Sequence, residues 1–194
     1  MINYAHIAKA VSFYESAGYK FIDVPWAVSE KAVRLTAPTN SVIYPHENEF
    51  LVASGEQGFI QLMLEKKLSP GKWGCVTACF RDDARDKWHQ KYFLKVELID
   101  TLDTTVPNLA KTVGNCLSFF QTIIPRSIVI GTHPRDPLLR SAGYDIIALN
   151  GIELGSYGVR EHLDVGRWIY ATGCAEPRLS LALKEQSIDS QGAL

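Results

Sequence analysis

The chain has 194 residues, 46% of them hydrophobic and 21% charged. That length suits one domain with a real core, and the apolar share excludes a disordered chain. The 20 Lys and Arg against 21 Asp and Glu leave a net charge of −1, which argues against a strongly basic nucleic-acid binder and still permits a local basic patch.

Residues Tyr4 to Ala17 have helical spacing, with Ile7, Val11 and Tyr14 on one face and Gly18 placed to end the helix. Tyr19 to Val24 reads as a strand closed by Pro25, and Phe50 to Ala53 as a short apolar strand. Gln57 to Leu68 reads as an amphipathic helix with Ile60, Met63, Leu64 and Leu68 on one face, ended by the Ser69-Pro70-Gly71 turn. Trp73 to Phe80 and Phe93 to Ile99 are strands joined by a charged loop from Asp82 to Lys91, which predicts an antiparallel hairpin. A helix follows over Leu109 to Ile123. Tyr144 to Leu149 and Trp168 to Thr172 are further strands, and Pro177 opens a last helix through Leu183. The order favours an α+β domain on a mainly antiparallel sheet, occupying 1–185, with a polar tail over 186–194. No apolar run approaches the about 20 residues of a membrane span, and Met1 to Ala10 lacks a signal pattern. Cys75, Cys79, Cys116 and Cys174 form no C-x-x-C, so thiols in a reducing, cytoplasmic setting are expected. Neither G-x-G-x-x-G at a helix start nor a P-loop occurs.

Three segments carry chemistry-bearing residues. In the hairpin, Arg81 stands near the end of one strand and Phe93 at the start of the next. An Arg fork and an aromatic face would frame an anionic, planar ligand, although a solvated hairpin loop gives the same spacing. Glu153 precedes a glycine-interrupted stretch, Gly155 to Gly158. A carboxylate there suits Mg²⁺, or is an ordinary glutamate beside a turn. Arg178 sits near the N-terminus of the last helix, where a cation gains nothing from the helix dipole and is therefore a candidate for a ligand.

Taken in order, these segments resemble the signature motifs of class II aminoacyl-tRNA synthetases. Phe80-Arg81-Asp82-Asp83, His89 to Phe93 and Glu97 are similar to motif 2. Gly173-Cys174-Ala175-Glu176-Pro177-Arg178 is similar to motif 3, with Ala175 in place of its second glycine and Pro177 in place of the usual acidic residue. The first helix, the following strand and Pro25 look like motif 1. Asn150, Glu153, Gly155, Arg160 and His162 are spaced as in the aspartyl- and asparaginyl-synthetase subgroup, and Ser54-Gly55-Glu56-Gln57 occupies the place of that subgroup's substrate motif. The resemblance runs from about Ala5 to Leu183.

The resemblance implies an antiparallel sheet flanked by helices. It also implies attack of an amino-acid carboxylate on the α-phosphate of ATP, a reaction that needs positioning and charge neutralisation more than covalent catalysis. Arg81 would bind the α-phosphate and the substrate carboxylate. His89 would reach the terminal phosphates, Phe93 would stack under adenine, and Arg178 would cover its other face and touch the γ-phosphate. Glu153 would hold Mg²⁺, with Asp145 one residue away from the place of a second acidic ligand and left out of the metal set. Glu56 would pair with the α-ammonium. Arg160 would read an aspartate carboxylate or asparagine amide, or else form a surface pair with Glu161 or Asp164. Lys95 and Gln57 would line the pocket or simply occupy a strand face; Ser54 and Ser156 would offer hydroxyls or serve as turn and cap residues. The expected reaction is adenylation of a small, aspartate- or asparagine-like amino acid by a homodimer built through motif 1. The acceptor stays open between tRNA, ammonia, a protein and a small molecule. A core of this kind would fill the 194 residues, so a separate anticodon-binding domain is not expected. The alternative is a non-catalytic paralog acting as a regulatory or ligand-binding module, which the altered motif 3 favours. Cys75 and Cys79, the four tryptophans, and His6, His46 and His133 are expected to be packing or surface residues.

Overall fold

The computed structural model describes residues 1–37, 41–82, 88, 90–132 and 143–191. Helix α1 (Tyr4–Ser16) starts where Asn3 accepts a hydrogen bond from the Ala5 N–H, and it buries Ile7, Ala10 and Tyr14 along one stripe. Strand β1 (Lys20–Phe21) is shorter than the pattern predicts, because the chain leaves the sheet after Ile22 donates to the Gly74 carbonyl. A small three-stranded sheet follows, of β2 (Ala27–Val28), β3 (Pro45–His46) and β4 (Glu49–Leu51), with α2 (Glu30–Arg34) beside it.

Helix α3 (Gly55–Leu64) begins two residues earlier and ends four earlier than its apolar spacing predicts. The early start has a steric cause. A Cβ at Gly55 would stand 2.8 Å from both Cys75 Sγ and Glu97 Cβ, so glycine lets the first turn lie directly on the sheet.

The hairpin of β5 (Lys72–Phe80) and β6 (Tyr92–Asp100) forms as expected, with Cys79 opposite Phe93 and Thr77 opposite Lys95. Helix α4 (Val106–Gln121) buries Leu109, Val113, Cys116 and Phe120 on one stripe. Strands β7 (Ile128–Thr132), β8 (Gly143–Ile147), β9 (Glu153–His162) and β10 (Gly166–Glu176) complete the main sheet. Strand β10 runs four residues beyond the expected Thr172. Helix α5 (Arg178–Gln191) runs on to Gln191, into the region expected as a polar tail.

The main sheet has seven strands in the order β1-β5-β6-β10-β9-β8-β7. Only β1 is parallel to its neighbour. Alternate residues of the central strands face opposite sides. One side carries Val96, Leu98, Tyr157, Val159, Ile169 and Ala171 and packs on the apolar stripes of α1 and α4. On the other side Cys75, Ile99, Trp168 and Tyr170 pack with Val33, Val52, Phe59 and Ile60 near α2 and α3. That second side also carries Lys95 and Glu97, between Cys75 and Ile99 in the same alternation.

Candidate active site

The charged residues singled out in the sequence converge on the second side of the sheet. Arg81 leaves the end of β5, its N–H closing the hairpin on the Lys91 carbonyl at 2.9 Å. Its Nε donates to the Ala53 carbonyl at 2.8 Å, and its guanidinium lies 5.2 Å from the Phe93 ring centroid. Phosphate-type and base-type recognition elements are thus adjacent, and the contact is a cation–π pair. His89 and His133 lie outside the described residues.

A second group gathers where β8, β9 and the start of α5 meet. Arg178 is the first residue of α5, and its Nη1 is 3.6 Å from Glu153 Oε1. Asp145 pairs in register with Ser156. Partial burial and then the Glu153 charge push the Asp145 carboxyl above its ordinary value, while a Ser156 hydrogen bond pulls it back. A bulge in β9, opposite Ile146 and Ile147, brings Glu153 onto the same side as Asp145 and Ser156. Two carboxylates placed this close fit an oxygen-seeking dication, which would relieve their repulsion. Among the described residues no group of three or more His, Cys, Asp or Glu stands together, so such an ion would complete its shell from phosphate and water.

The third group lies under the first turn of α3. Ser54 sits at the N-cap position but makes no capping bond. Its Oγ instead donates to Glu97 Oε2. Lys95 Nζ stands 2.7 Å from the same oxygen and 3.3 Å from Ser54 Oγ. Glu97 is buried, and its Oε1 has no hydrogen-bond partner. A buried, half-satisfied carboxylate is costly in a low-dielectric interior and marks a place for a donor.

Glu56 and Arg160 meet each other. Arg160 Nη1 bonds Glu56 Oε2, Trp168 Nε1 donates to Glu56 Oε1 at 2.7 Å, and the guanidinium lies 4.0 Å from the Tyr170 ring centroid. Sequence left Arg160 open between reading a substrate and pairing with Glu161 or Asp164; the structure gives it Glu56 as a partner, and Asp164 pairs with Lys31 at 2.6 Å. Gln57 lies on a helix rather than a strand face, and its amide is spent on structure. It accepts from the Ala53 N–H at 2.6 Å and donates to Val33 O and Thr36 Oγ1, each at 3.2 Å.

Two residues missed as site candidates are Glu97 and Trp168. The alternation of β6 already put Glu97 on the side of Lys95 and Phe93, which was the available signal. Nothing local in the sequence brings the Trp168 indole to Glu56. The cysteines behave as packing residues: burial pushes the Cys79 and Cys116 thiols up to about 12. Trp168 is buried, whereas Trp26 is exposed. His6, expected to be a packing or surface residue, pairs with Glu176.

No family model matches the sequence, and no curated protein matches it. Solved structures do. The fold is similar to PylSc of Desulfitobacterium hafniense, a pyrrolysyl-tRNA synthetase, with a TM-score of 0.72 and 13% identity over 94% of this chain and 66% of that one. A second structure of the Desulfitobacterium hafniense pyrrolysyl-tRNA synthetase gives a TM-score of 0.71 at 14% identity over 94% and 69% of the two chains. The cytoplasmic serine-tRNA ligase of Naegleria fowleri, solved with AMP, gives 0.70 at 18% identity over 90% and 46%. The chain therefore spans about two thirds of the first relative and less than half of the ligase. Within the described residues no helix is long and apolar enough to cross a membrane. The mainly antiparallel seven-stranded sheet, its flanking helices and these similarities show the fold of class II aminoacyl-tRNA synthetases, with no support for the aspartyl/asparaginyl subgroup in particular.

Proposed function

We propose that the chain is an ATP-dependent ligase that activates a small amino acid as its adenylate. The observation that carries this reading is the convergence on one side of the sheet of Arg81 against Phe93 and Arg178 against Glu153. In this reading Phe93 supports the adenine, and Arg81 bridges the α-phosphate and the amino-acid carboxylate, neutralising the charge on the equatorial oxygens of the pentacoordinate phosphorus. Arg178 covers the base and reaches the terminal phosphate together with His89. Glu153, with Asp145 beside it, would hold Mg²⁺, which would supply charge neutralisation to the phosphates.

The amino acid lies between Ser54, Lys95 and Arg160, with Ser156 toward the phosphate end. Glu97 Oε1 offers the α-ammonium an acceptor, whereas Glu56 is already engaged by Arg160 and Trp168. An aspartate- or asparagine-like side chain is read by Arg160 in this scheme, and it must share that guanidinium with Glu56. The acceptor of the activated amino acid is tRNA, ammonia, a protein or a small molecule. A homodimer through the α1 and Pro25 region and a cytoplasmic setting complete the reading.

ATP–pyrophosphate exchange across the twenty amino acids tests it. Exchange with one or a few small amino acids is expected. No exchange with any, together with no calorimetric ATP binding, overturns the reading. A second reading, a non-catalytic module that binds a ligand on this fold, is favoured by the Glu56–Arg160 closure and by Ala175 and Pro177 in motif 3. Amino-acid or nucleotide binding without exchange would select it.

A further inference from the structure

On the other side of the sheet, away from the candidate active site, Glu176 is the last residue of β10 and is fully buried. Its Oε1 receives two donors, His6 Nδ1 at 2.6 Å and Ser180 Oγ at 3.0 Å. Its Oε2 has no partner. The donor identity of His6 follows from its other nitrogen. Nε2 lies 3.3 Å from Asn3 Nδ2, and Asn3 Oδ1 is committed to the Ala5 N–H at 3.0 Å. The side-chain amide therefore presents its NH₂ to the ring. Nε2 is the acceptor, and the proton sits on Nδ1, pointing at Glu176. The helix cap of α1 thus sets the tautomer that holds the carboxylate.

Two residues beyond Glu176 is Arg178. Ser180 belongs to the same first turn of α5, and the Leu181 N–H closes that turn on the Pro177 carbonyl at 3.0 Å. The carboxylate of Glu176 is therefore the tie between α1 and the turn that presents Arg178 to Glu153. A second tie from α1, Tyr14 OH to the Gly173 carbonyl at 2.9 Å, holds the same strand three residues earlier. An apolar contact would anchor helix to strand without burying a carboxylate that keeps one oxygen unsatisfied. What the polar tie adds is a fixed direction at the strand-to-helix junction.

We propose that His6, oriented by Asn3, is a positioning residue for Arg178. Acting through Glu176, it sets the guanidinium where ATP is bound in the reading above, on which this inference rests.

The test is a double-mutant cycle on Mg²⁺–ATP binding by the full chain, measured by calorimetry. His6→Ala should weaken ATP by about tenfold in the native background and by less than about twofold when Arg178→Ala is already present, because the effect travels through Arg178. His6→Asn, whose amide keeps a donor near the Nδ1 position, should restore affinity to within about threefold of the wild type. Unchanged affinity in His6→Ala overturns the proposal, and so does an equal loss in both backgrounds, the signature of a general structural role. If His6→Ala does not fold, the same cycle with Glu176→Gln carries the same two outcomes. A wild-type chain that binds no ATP overturns the adenylation reading and this proposal with it, and the wild-type titration alone identifies that result.

Discussion

The two sides of the main sheet are built from alternate residues of the same strands, yet they solve opposite problems. On the α1 and α4 side, Val96, Leu98, Tyr157, Val159 and Ile169 close around Phe119 and Phe120, and the hydroxyls of Tyr14 and Tyr157 end on backbone carbonyls of β10. Burial pushes both phenols well above their ordinary value, so neither is an acid or base for chemistry. On the side under α3, Lys95, Glu97 and Arg160 occupy the equivalent positions of their strands and form ion pairs, Lys95 with the buried Glu97 and the partly buried Arg160 with Glu56 of α3. One side maximises apolar contact. The other accepts the desolvation of charge, which stability alone does not favour. A period of two allows one strand to serve both needs, because a substitution on one side leaves the other side's surface chemistry untouched.

Four changes would break or sharpen this contrast. The largest effect is expected on the apolar side. Phe119→Ala should lower unfolding free energy by about 3–5 kcal/mol, measured by denaturant melts, with exchange activity retained below the transition. On the charged side, Lys95→Met should cost about 3 kcal/mol by stranding the Glu97 carboxylate, and the double variant Lys95→Met/Glu97→Met should recover most of it while exchange stays lost. A double variant no more stable than the single would show that the pair is structural cement like the opposite side. Arg81→Ala should cut exchange about 10²–10³-fold with an unchanged melting profile; substantial residual exchange would refute its role.

The smallest effect concerns Asp145. Its folded-state carboxyl titrates above its unfolded value, through burial first and the Glu153 charge second. Between the two values the native state binds more protons than the unfolded one, so this group's contribution to stability falls as pH rises through that window. Asp145→Asn should therefore stabilise the chain at neutral pH by less than about 1 kcal/mol after solvent screening. The gain should vanish as pH drops below the ordinary aspartate range; a gain that persists in acid would point to packing instead.

The candidate site was legible where chemistry and local pattern coincide. Arg81 and Phe93 flank one hairpin, so strand pairing brings them within 5.2 Å with no help from distant residues. Lys95 is placed on the site side by alternation alone. The pairs formed across the chain were not legible. Glu56 and Arg160 are separated by 104 residues, and His6 and Glu176 by 170. The end of α3 was misplaced because Leu68 continues the helical spacing after the backbone has stopped at Leu64. Helix α5 extends past Glu185 despite a polar sequence whose apolar stripe gives no signal there.

The sequence by itself determined the α+β class, the hairpin, and which residue types face each way along β6. These follow from backbone sterics and a period of two, which are local. Only the tertiary structure decided which polar side chains pair: Glu56 with Arg160, Lys95 with Glu97, and the His6 ring with Glu176. In a buried setting each ionised side chain takes whatever partner the packed elements bring within reach, and that choice is made by the arrangement of strands rather than by neighbours in sequence.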